Sequence, residues 1–373
     1  MKIALVHELL TMRGGAERVF KVLADMYPEA PIYTLLYDEK KMGDWFPKER
    51  VRVAKPPTPY SLLPTPYRYN HHLYLKHFPR MVESWDFSEF DTVISSSSAF
   101  AHGIITNGNP KHISFINAPA RYLWDRTHDV IEQGSRGILG PIKKHYLHST
   151  FHKLRVWDAE VAARPDILLA ASKEVQKRIE LYWRRKSQVV YPPINDFWLN
   201  RDPTPNPQPP NPNPYFLVVS SLVRYKRIEL AIEACNNLGI HLKIVGEGPD
   251  RKRLEKLAGN TIEFYGYRSN DELGDLYADA TAVIFPGEED FGLVPLESMA
   301  CGTPVIAHRI GGALETIVEG KTGEFFDDAT ATSLQEILQN FDQKNYTKEA
   351  CQQRAAEFSE EKFTTAISAV VNA

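Results

Sequence analysis

The chain has 373 residues, of which 43% are hydrophobic and 24% are charged, and its formal net charge at pH 7 is -3. Such a composition is typical of an ordinary globular protein that is long enough to form two hydrophobic cores. Because basic residues are scattered among acidic ones, we expect no nucleic-acid partner.

The amino-terminal segment predicts a protein that stays in the cytoplasm. Its apolar run ends at Glu8 and is too short for the hydrophobic region of a signal peptide. No stretch approaches the ~20 uninterrupted apolar residues that a membrane-spanning helix needs. The three cysteines are widely spaced and lack a Cys-x-x-Cys pair, so they predict neither a disulfide framework nor a zinc site: Cys235, Cys301 and Cys351.

Short β-rich runs alternate with amphipathic helical segments along the whole chain. In the first half they lie at 2–7, 16–26, 92–95, 112–116, 167–171, 173–182 and 188–191. In the second half they lie at 215–219, 227–236, 241–245, 250–257, 261–265, 271–277, 282–285, 293–299, 304–308 and 313–318. This rhythm predicts an α/β protein with two doubly wound domains, whose ligand lies in a cleft facing the carboxyl ends of both parallel sheets.

A proline-rich segment separates the two predicted domains. Residues 202–214 read DPTPNPQPPNPNP. Proline removes backbone donors and disfavours helix in the residue before it, so this segment predicts an extended, semi-rigid linker. The predicted domains are therefore 1–201 and 215–357.

The strongest chemical signal is the segment PGEEDFGLVPLESMACGTPVIA, residues 286–307, which follows the predicted strand 282–285. The pattern predicts a turn and then a helix, whose first amides, those of Phe291, Gly292 and Leu293, suit a phosphate or a polar sugar face. Glu289 and Glu297 are eight residues apart, about 12 Å along a helix axis. One nucleotide sugar could contact both carboxylates. Taken alone, the pair could also be a helix-dipole partner and a solvated residue.

The segment EDFGLVPLESMACGTPVIA, with its Glu-x7-Glu spacing, resembles glycosyltransferase family 4. Further matches follow in chain order: GGAE at 14–17, SSLVRYK at 220–226, VGEGP at 245–249 and GGALE at 311–315. Three other segments, 94–100, 121–125 and 191–194, resemble the branch of that family that contains O-antigen mannosyltransferases.

The resemblance implies a retaining enzyme of the GT-B fold, with two Rossmann-like domains. The carboxyl-terminal domain would bind a nucleotide diphosphate sugar, with a GDP-sugar such as GDP-mannose favoured and a UDP-sugar as the alternative. The amino-terminal domain would bind a glycan or lipid-linked acceptor, and the last helix, 358–373, would cross back onto it. The resemblance also implies no cofactor and no assignable protein nucleophile.

The resemblance also implies a role for each matched residue. Glu297 would hold the ribose, Glu289 the transferred sugar and Lys226 the diphosphate. Backbone around Tyr267 and Arg268 would contact the base, and Gly15 would bring amides close to the phosphates. Gly14, Asn117 and Gly246 complete the donor-binding set. Taken alone, Lys226 could be a surface charge, and Gly14-Gly15 an ordinary turn.

We expect transfer without a metal ion. The chain contains no Asp-x-Asp, the carboxylate pattern through which magnesium usually bridges a diphosphate. Positive side chains must then neutralise the leaving group. His145, His148 and His152 occur at helical spacing, but they have no acidic partner in register and predict a solvated basic face.

Two positions depart from the family pattern. Asn117 stands in Asn-Ala-Pro where relatives usually carry His-x-Pro, and Ser221 occupies a position usually held by arginine. Arg224, three residues after Ser221, is predicted to reach the donor phosphates that the usual arginine would contact. The departures leave open a nucleotide-sugar-binding protein with little turnover. A GT-B epimerase or phosphorylase is a third interpretation.

Two stretches of the first domain mix aromatic residues, leucines and basic residues. They are 60–80 and 136–155, and they could dock on anionic lipid headgroups at the inner face of a membrane. The alternative is an ordinary solvated loop and helix face.

Overall fold

The computed structural model describes residues 1–55, 72, 74–106, 108–135, 137, 139–201 and 214–373. The chain divides into two compact units, Met1–Tyr191 with Thr364–Ala373, and Pro192–Phe363. Most of the predicted linker, 202–213, and much of the predicted docking stretch 60–80 lie outside the described residues. The predicted domain boundary at the linker therefore stays a prediction.

The first unit is built on strands that are mostly short and buried. They are β1 (Ile3–Leu10), β2 (Ile32–Tyr37), β3 (Val51–Val53), β4 (Thr92–Ser97), β5 (Lys111–Ile116), β6 (Ile167–Ala170) and β7 (Gln188–Val189). Its helices are α1 (Gly15–Met26), α2 (Glu39–Met42), α3 (Phe78–Val82), α4 (Thr127–Gly134), α5 (Gly140–Val161) and α6 (Lys173–Trp183).

The seven described strands of this unit form one parallel sheet in the order β3-β2-β1-β4-β5-β6-β7. Strand β1 lies in the interior of the sheet, where Leu5 pairs with Ile32 on one side and Ile94 on the other. Its residues 4–6 are fully buried. A near-continuous apolar run of this kind is expected of a parallel strand that is covered on both faces by helices.

The second unit repeats this architecture. Its strands are β8 (Phe216–Val219), β9 (Leu242–Val245), β10 (Ile262–Gly266), β11 (Ala282–Phe285), β12 (Val305–His308) and β13 (Gly323–Phe326). Its helices are α7 (Asp196–Leu199), α8 (Ile228–Leu238), α9 (Arg251–Leu257), α10 (Asn270–Asp279), α11 (Leu293–Ala300), α12 (Ala313–Thr316), α13 (Ala331–Asn340) and α14 (Lys348–Ala356). A last helix, α15 (Glu360–Val371), begins in this unit and ends in the residues grouped with the first.

The six described strands of the second unit are parallel and lie in the order β10-β9-β8-β11-β12-β13. The chain winds outward from β8 to β10 and then returns to start again at β11, on the other side of β8. This reversal is the topological switch point, beside which open α/β sheets bind ligands at the carboxyl ends of their strands. Both units are Rossmann-like, as predicted.

Most predicted elements are confirmed within a few residues, but several were missed. Strands β2 and β3 were not predicted, because Pro28 and Pro31 precede β2 and β3 is very short. The four-residue strand β13 and helix α13 were missed as well. Helix α5 extends over 22 residues, yet its buried positions are sparse, which weakens the helical periodicity on which prediction depends.

Candidate active site

Lys226 and Glu289 lie in loops that follow the two neighbouring strands at the switch point of the second sheet. Lys226 ends the 3₁₀ turn Arg224–Lys226 after β8, and Glu289 lies between β11 and α11. Their side chains form an ion pair and are 14% and 22% exposed. Two residues that sequence analysis assigned to one ligand are thus brought together at the place where the fold predicts that ligand.

The backbone of these two loops comes into close contact at Gly287. A Cβ atom on Gly287 would lie 2.9 Å from the Cα of Lys226 and 3.0 Å from its carbonyl oxygen. Real Cβ atoms do not approach other atoms so closely, so a side chain at this position would push the two loops apart. Gly287, which follows Pro286 in the loop after β11, therefore allows the two loops to approach closely enough for the Lys226–Glu289 ion pair.

A second glycine contact supports the loop from its other side. The amide of Gly312, after β12, donates to the carbonyl of Glu289 at 2.9 Å. A Cβ on Gly312 would collide with the backbone of Phe291. The side chain of Phe291 is buried against Phe358, with ring centroids 5.6 Å apart. The predicted Gly-Gly motif at 311–312 therefore fixes the loop that carries Glu289.

Helix α11 begins at Leu293, with Gly292 as its N-cap. The predicted separation of about 12 Å between Glu289 and Glu297 was wrong in its premise, because Glu289 precedes the helix and only the steps from Leu293 onward are helical. The loop is irregular because Gly292 has a φ of 89°, outside the helical region. The first turn of α11 begins at Leu293, four residues after Glu289.

Glu297 lies in the middle of α11 and is almost completely buried. Its Oε2 accepts a hydrogen bond of 3.0 Å from the hydroxyl of Tyr277 on α10. Sequence analysis gave Tyr277 no role, since no pattern in the chain links it to a residue twenty positions later. Only the packing of α10 on α11 brings the two side chains together.

Arg224 lies at the start of the turn that ends at Lys226, and its side chain is half exposed. Its Nε is 4.0 Å from Oδ1 of Asp250, a carboxylate that already accepts two hydrogen bonds from Arg253 at 2.8 and 2.6 Å. Hydrogen bonds from Arg253, opposed by burial, hold the pKa of Asp250 below its usual value. Arg224 thus lies between the loop after β8 and Asp250, which directly precedes α9.

The remaining predicted donor-binding residues of this unit follow β9 and β10. Gly246 comes directly after β9, and its amide donates to the carbonyl of Gly266 at 2.8 Å. Tyr267 is largely exposed, and the guanidinium of Arg268 donates to its carbonyl at 3.1 Å. These residues therefore lie at the same carboxyl edge of the second sheet as Lys226 and Glu289.

In the first unit, the predicted donor-binding residues also follow strand ends. Gly14 and Gly15 lie at the start of α1, where the Gly14 amide donates to Oε2 of Glu17 at 2.9 Å. Asn117 follows β5, and its side-chain amide donates to the hydroxyl of Ser96 at 2.9 Å. All three positions lie at the carboxyl edge of the first sheet.

The same edge of the first sheet contains a buried carboxylate that sequence analysis missed. Oε1 of Glu8, on β1, accepts a hydrogen bond of 2.8 Å from the hydroxyl of Ser97. The same oxygen accepts from the backbone amides of residues 98–101 at 2.8 to 3.1 Å. Burial raises the pKa of Glu8, but the nearby charge of His7 and these amides outweigh it, so the pKa lies below its usual value.

The network continues from Ser97 into the long helix α5. Nδ1 of His102 lies 3.0 Å from the Ser97 hydroxyl, and its Nε2 lies 3.4 Å from Oδ1 of Asp158. The other Asp158 oxygen accepts from the indole N–H groups of Trp124 and Trp183 at 2.8 and 2.7 Å. His102 and Asp158 are inaccessible to solvent. The cluster therefore joins sheet and helix and does not face a substrate.

Within the described ranges, no three His, Cys, Asp or Glu side chains are grouped closely enough to hold a metal ion. The three predicted α5 histidines, His145, His148 and His152, are all exposed. Metal independence remains a prediction that chelation can test.

Comparisons with known proteins agree with the fold and with a glycosyltransferase family in the second unit. The family described as "Glycosyl transferases group 1" matches residues 201–358. An uncharacterized glycosyltransferase of Methanocaldococcus jannaschii is 25% identical over 199 residues, covering 52% of this chain and 54% of the relative. A GDP-mannose-dependent alpha-(1-6)-phosphatidylinositol dimannoside mannosyltransferase of Mycobacterium tuberculosis is 34% identical over 132 residues, 34% of each protein. The chain thus spans 34% to 54% of the length of these curated relatives.

A solved structure extends the likeness to both units. The crystal structure of Anabaena HepE in complex with UDP has a TM-score of 0.72 and 16% sequence identity, and the likeness covers 100% of both chains. At this identity the likeness concerns the fold. Residues 201–358 thus match the Glycosyl transferases group 1 family, and the two Rossmann-like units of the chain have the GT-B glycosyltransferase fold.

Proposed function

We propose that this protein is a retaining, metal-independent glycosyltransferase that moves a hexose from a nucleotide diphosphate sugar to a glycan or lipid-linked acceptor. The observation that carries the proposal is the Lys226–Glu289 pair beside the amino end of α11, at the switch point of the second sheet. A cation, a carboxylate and a helix amino terminus together suit a sugar diphosphate.

Each side chain of the site has a separate task in this reaction. Negative charge grows on the diphosphate as the glycosidic bond breaks, and Lys226 stabilises it. Glu289 accepts hydrogen bonds from hydroxyls of the transferred sugar, and Glu297 from hydroxyls of the ribose. In retention the acceptor attacks from the face that the diphosphate leaves, so the protein supplies no nucleophile.

The favoured donor is GDP-mannose, with a UDP-sugar as the alternative. The first is supported by the branch that the sequence resembles and by the Mycobacterium tuberculosis relative, which is named as GDP-mannose-dependent. The second is supported by the UDP bound to Anabaena HepE. A thermal-shift panel of GDP, UDP, ADP and their sugars decides between them, because the correct base stabilises the fold through binding to the native state.

Three incubations test the reaction type. With donor and lipid-linked acceptor, a transferase forms a glycosylated lipid, and EDTA leaves its rate unchanged. Product from donor alone would indicate an epimerase, and product that requires inorganic phosphate would indicate a phosphorylase. Tight donor binding with no product in any incubation would indicate the nucleotide-sugar-binding protein that the Asn117 and Ser221 departures leave open. A strict need for Mg²⁺ or Mn²⁺ would contradict the metal-free mechanism.

For the acceptor side, we propose that helix α5 docks on an anionic membrane surface. The chain has no acidic residue from 139 to 157. Leu139, Ile142 and Tyr146 are 58%, 69% and 50% exposed at successive helical turns, and Lys143 and Lys144 lie among them. Apolar side chains that enter the headgroup region beside lysines support binding to anionic lipid. In the described part of the chain, no helix is long and apolar enough to cross a membrane.

Arg155 does not contribute to that surface. Its guanidinium donates to the carbonyl of Leu123 at 2.6 Å and to the hydroxyl of Thr127 at 3.2 Å. We therefore expect its replacement to disturb the first unit rather than membrane binding. Arg136, at the other end of the predicted docking stretch, lies outside the described residues.

Cosedimentation with phosphatidylserine vesicles tests the docking surface. We expect binding at low salt, release at high salt and a loss of binding when Lys143, Lys144 and Lys153 become Ser, because each lysine contributes about 1 kcal/mol at such a surface. The matched control replaces Lys40, Lys41 and Lys48, three exposed lysines of the same unit. Equal binding by both triple variants would contradict docking through α5.

A further inference from the structure

The carboxylate that we assign to the ribose is held by a tyrosine from another helix. The Tyr277 hydroxyl, on α10, donates to Oε2 of Glu297 on α11 at 3.0 Å. Tyr277 is fully buried and Glu297 is 5% exposed. A hydrogen bond to a carboxylate in a site with little solvent is stronger than one at the surface, and it restrains a side chain that otherwise has several rotamers.

The ring of Tyr277 is itself fixed in place. The backbone carbonyl of Tyr277 accepts hydrogen bonds of 2.6 Å from the Thr303 hydroxyl and 3.1 Å from the Ala280 amide. The edge of the ring packs on Trp198, with centroids 5.7 Å apart and planes at 75°. Trp198 is fully buried as well. Backbone anchors and an aromatic neighbour together leave the hydroxyl little freedom.

Trp198 comes from the segment 192–201, which sequence analysis placed in the first domain. The structure groups residues 192–201 with the second unit. At one end the Ile194 amide donates to the carbonyl of Phe358 at 2.8 Å. At the other end Arg201 donates to the carbonyl of Asp271 at 3.0 Å and forms an ion pair with Asp275, both on α10. The segment thus braces the helix that carries Tyr277.

We propose that Tyr277 is a positioning residue for Glu297: it orients the carboxylate toward the vicinal hydroxyls of the ribose of a nucleoside diphosphate. This inference rests on the proposed function, because it takes Glu297 as the ribose ligand. The Tyr277 hydroxyl donates a hydrogen bond to the Glu297 carboxylate. Ribose hydroxyls must also donate to that carboxylate. Tyr277 therefore fixes the orientation in which Glu297 accepts hydrogen bonds from the ligand, and Trp198 supports Tyr277.

Calorimetric titration with GDP and 2′,3′-dideoxy-GDP, and with the matching uridine nucleotides in parallel, tests the inference. The wild type should bind the ribonucleotide more tightly than the dideoxynucleotide. Tyr277→Phe removes only the hydroxyl and should lower ribonucleotide affinity about threefold to tenfold, the usual effect of one lost hydrogen bond. It should leave dideoxynucleotide affinity unchanged. A change that merely loosened the fold would weaken both nucleotides.

A matched control is Tyr346→Phe, which removes another tyrosine-to-glutamate hydrogen bond of the same unit, that from Tyr346 to Glu324. It should change neither affinity. In Tyr277→Phe combined with Glu297→Gln, ribonucleotide affinity should equal that of Glu297→Gln alone, because the tyrosine acts through the glutamate. If Tyr277→Phe does not fold, Trp198→Phe should show a smaller loss of the same kind.

The outcomes separate the inference from the proposed function. If the wild type shows no preference for ribose, or Glu297→Gln keeps that preference, the assignment of Glu297 to the ribose fails. If the wild type prefers ribose, Glu297→Gln abolishes the preference and Tyr277→Phe retains all of it, only the positioning role of Tyr277 is overturned. Unchanged ribose preference in Trp198→Phe would equally contradict it when the tyrosine variant does not fold.

Discussion

The central strands of the two sheets follow the same order. The carboxylates at the carboxyl edges of the two sheets nevertheless have opposite surroundings. In the first unit, one oxygen of Glu8 is enclosed by the Ser97 hydroxyl and four backbone amides. In the second unit, Glu289 forms an ion pair with Lys226, and both side chains keep some exposure. The same topology therefore yields a closed structural centre in one unit and an accessible charged site in the other.

The difference shows that the role of a carboxylate at a sheet edge depends on the groups that donate hydrogen bonds to it. Backbone amides cannot leave Glu8 without local unfolding, so its hydrogen bonds contribute to stability. A lysine side chain has rotatable bonds and can exchange a carboxylate for a phosphate. We therefore expect removal of Glu289 to cost activity and removal of Glu8 to cost stability.

The largest expected effect is that of Glu289→Ala on turnover. kcat/KM for transfer should fall about 10²- to 10³-fold, the usual cost of removing one group that stabilises the transition state. Free nucleoside diphosphate should bind at least as tightly as to the wild type, because Lys226 loses the carboxylate that competes with phosphate. Steady-state kinetics and calorimetry measure the two quantities.

The adjacent Glu288→Ala is the matched control, and it should retain turnover.

Glu297→Ala should weaken nucleotide binding itself. Equal losses of nucleotide affinity in Glu289→Ala and Glu297→Ala would refute the division of roles between the two carboxylates.

In the first unit, Glu8→Gln should lower the free energy of unfolding by about 1.5–3 kcal/mol at neutral pH, since it removes the charge that the enclosing donors stabilise. The pKa of Glu8 is lowered in the folded protein. Its stabilising contribution is therefore present above the ordinary carboxyl pKa and is lost as pH falls through the folded value. Urea denaturation of both proteins at neutral and acidic pH measures this.

The exposed Glu89→Gln serves as the control and should leave the denaturation midpoint unchanged. A difference between wild type and Glu8→Gln that stayed constant on acidification would show that the charge of Glu8 has no part in its stabilising effect.

Arg224→Ala should reduce transfer less than Glu289→Ala does. Arg224 is half exposed and near Asp250, so its charge reaches the leaving diphosphate partly screened, and transfer should fall about tenfold. Ser221 stands where relatives usually carry an arginine. If Arg224 takes the role of that arginine, adding Ser221→Arg to the Arg224→Ala variant should restore part of the lost rate. Wild-type turnover in Arg224→Ala, together with a faster rate in Ser221→Arg alone, would show instead that the native site is weakened.

Much of the second unit could be predicted from the sequence, because its signals are local. Apolar runs of four or five residues gave the strands, and the segment around Glu289 combines a glutamate, glycines and a helix start within a few positions. Lys226 was singled out because it lies in SSLVRYK, one of the segments that carry the family resemblance, just after the first strand of the second domain. Local patterns of this kind survive without knowledge of the tertiary structure.

Contacts between distant parts of the chain could not be predicted. Glu8 precedes its amide donors by some ninety residues, and it was read only as the end of an apolar run. Sequence analysis placed Trp198 in the first domain, whereas the structure groups it with the second unit, because composition marks a linker but not the unit on which its flanking residues pack. Tyr277 looks like an ordinary apolar position of an amphipathic helix until the packing of α10 on α11 is known.

The central claim is that the switch point of the second sheet binds the diphosphate of a nucleotide sugar. Calorimetric titration of GDP- and UDP-sugars into the wild type and into Lys226→Ala tests it most directly. We predict that at least one of these donors binds to the wild type, and that Lys226→Ala weakens its binding about tenfold or more, as the loss of a phosphate-paired cation should. Equal donor affinity in the two proteins, or no binding of either donor class to the wild type, would contradict the claim.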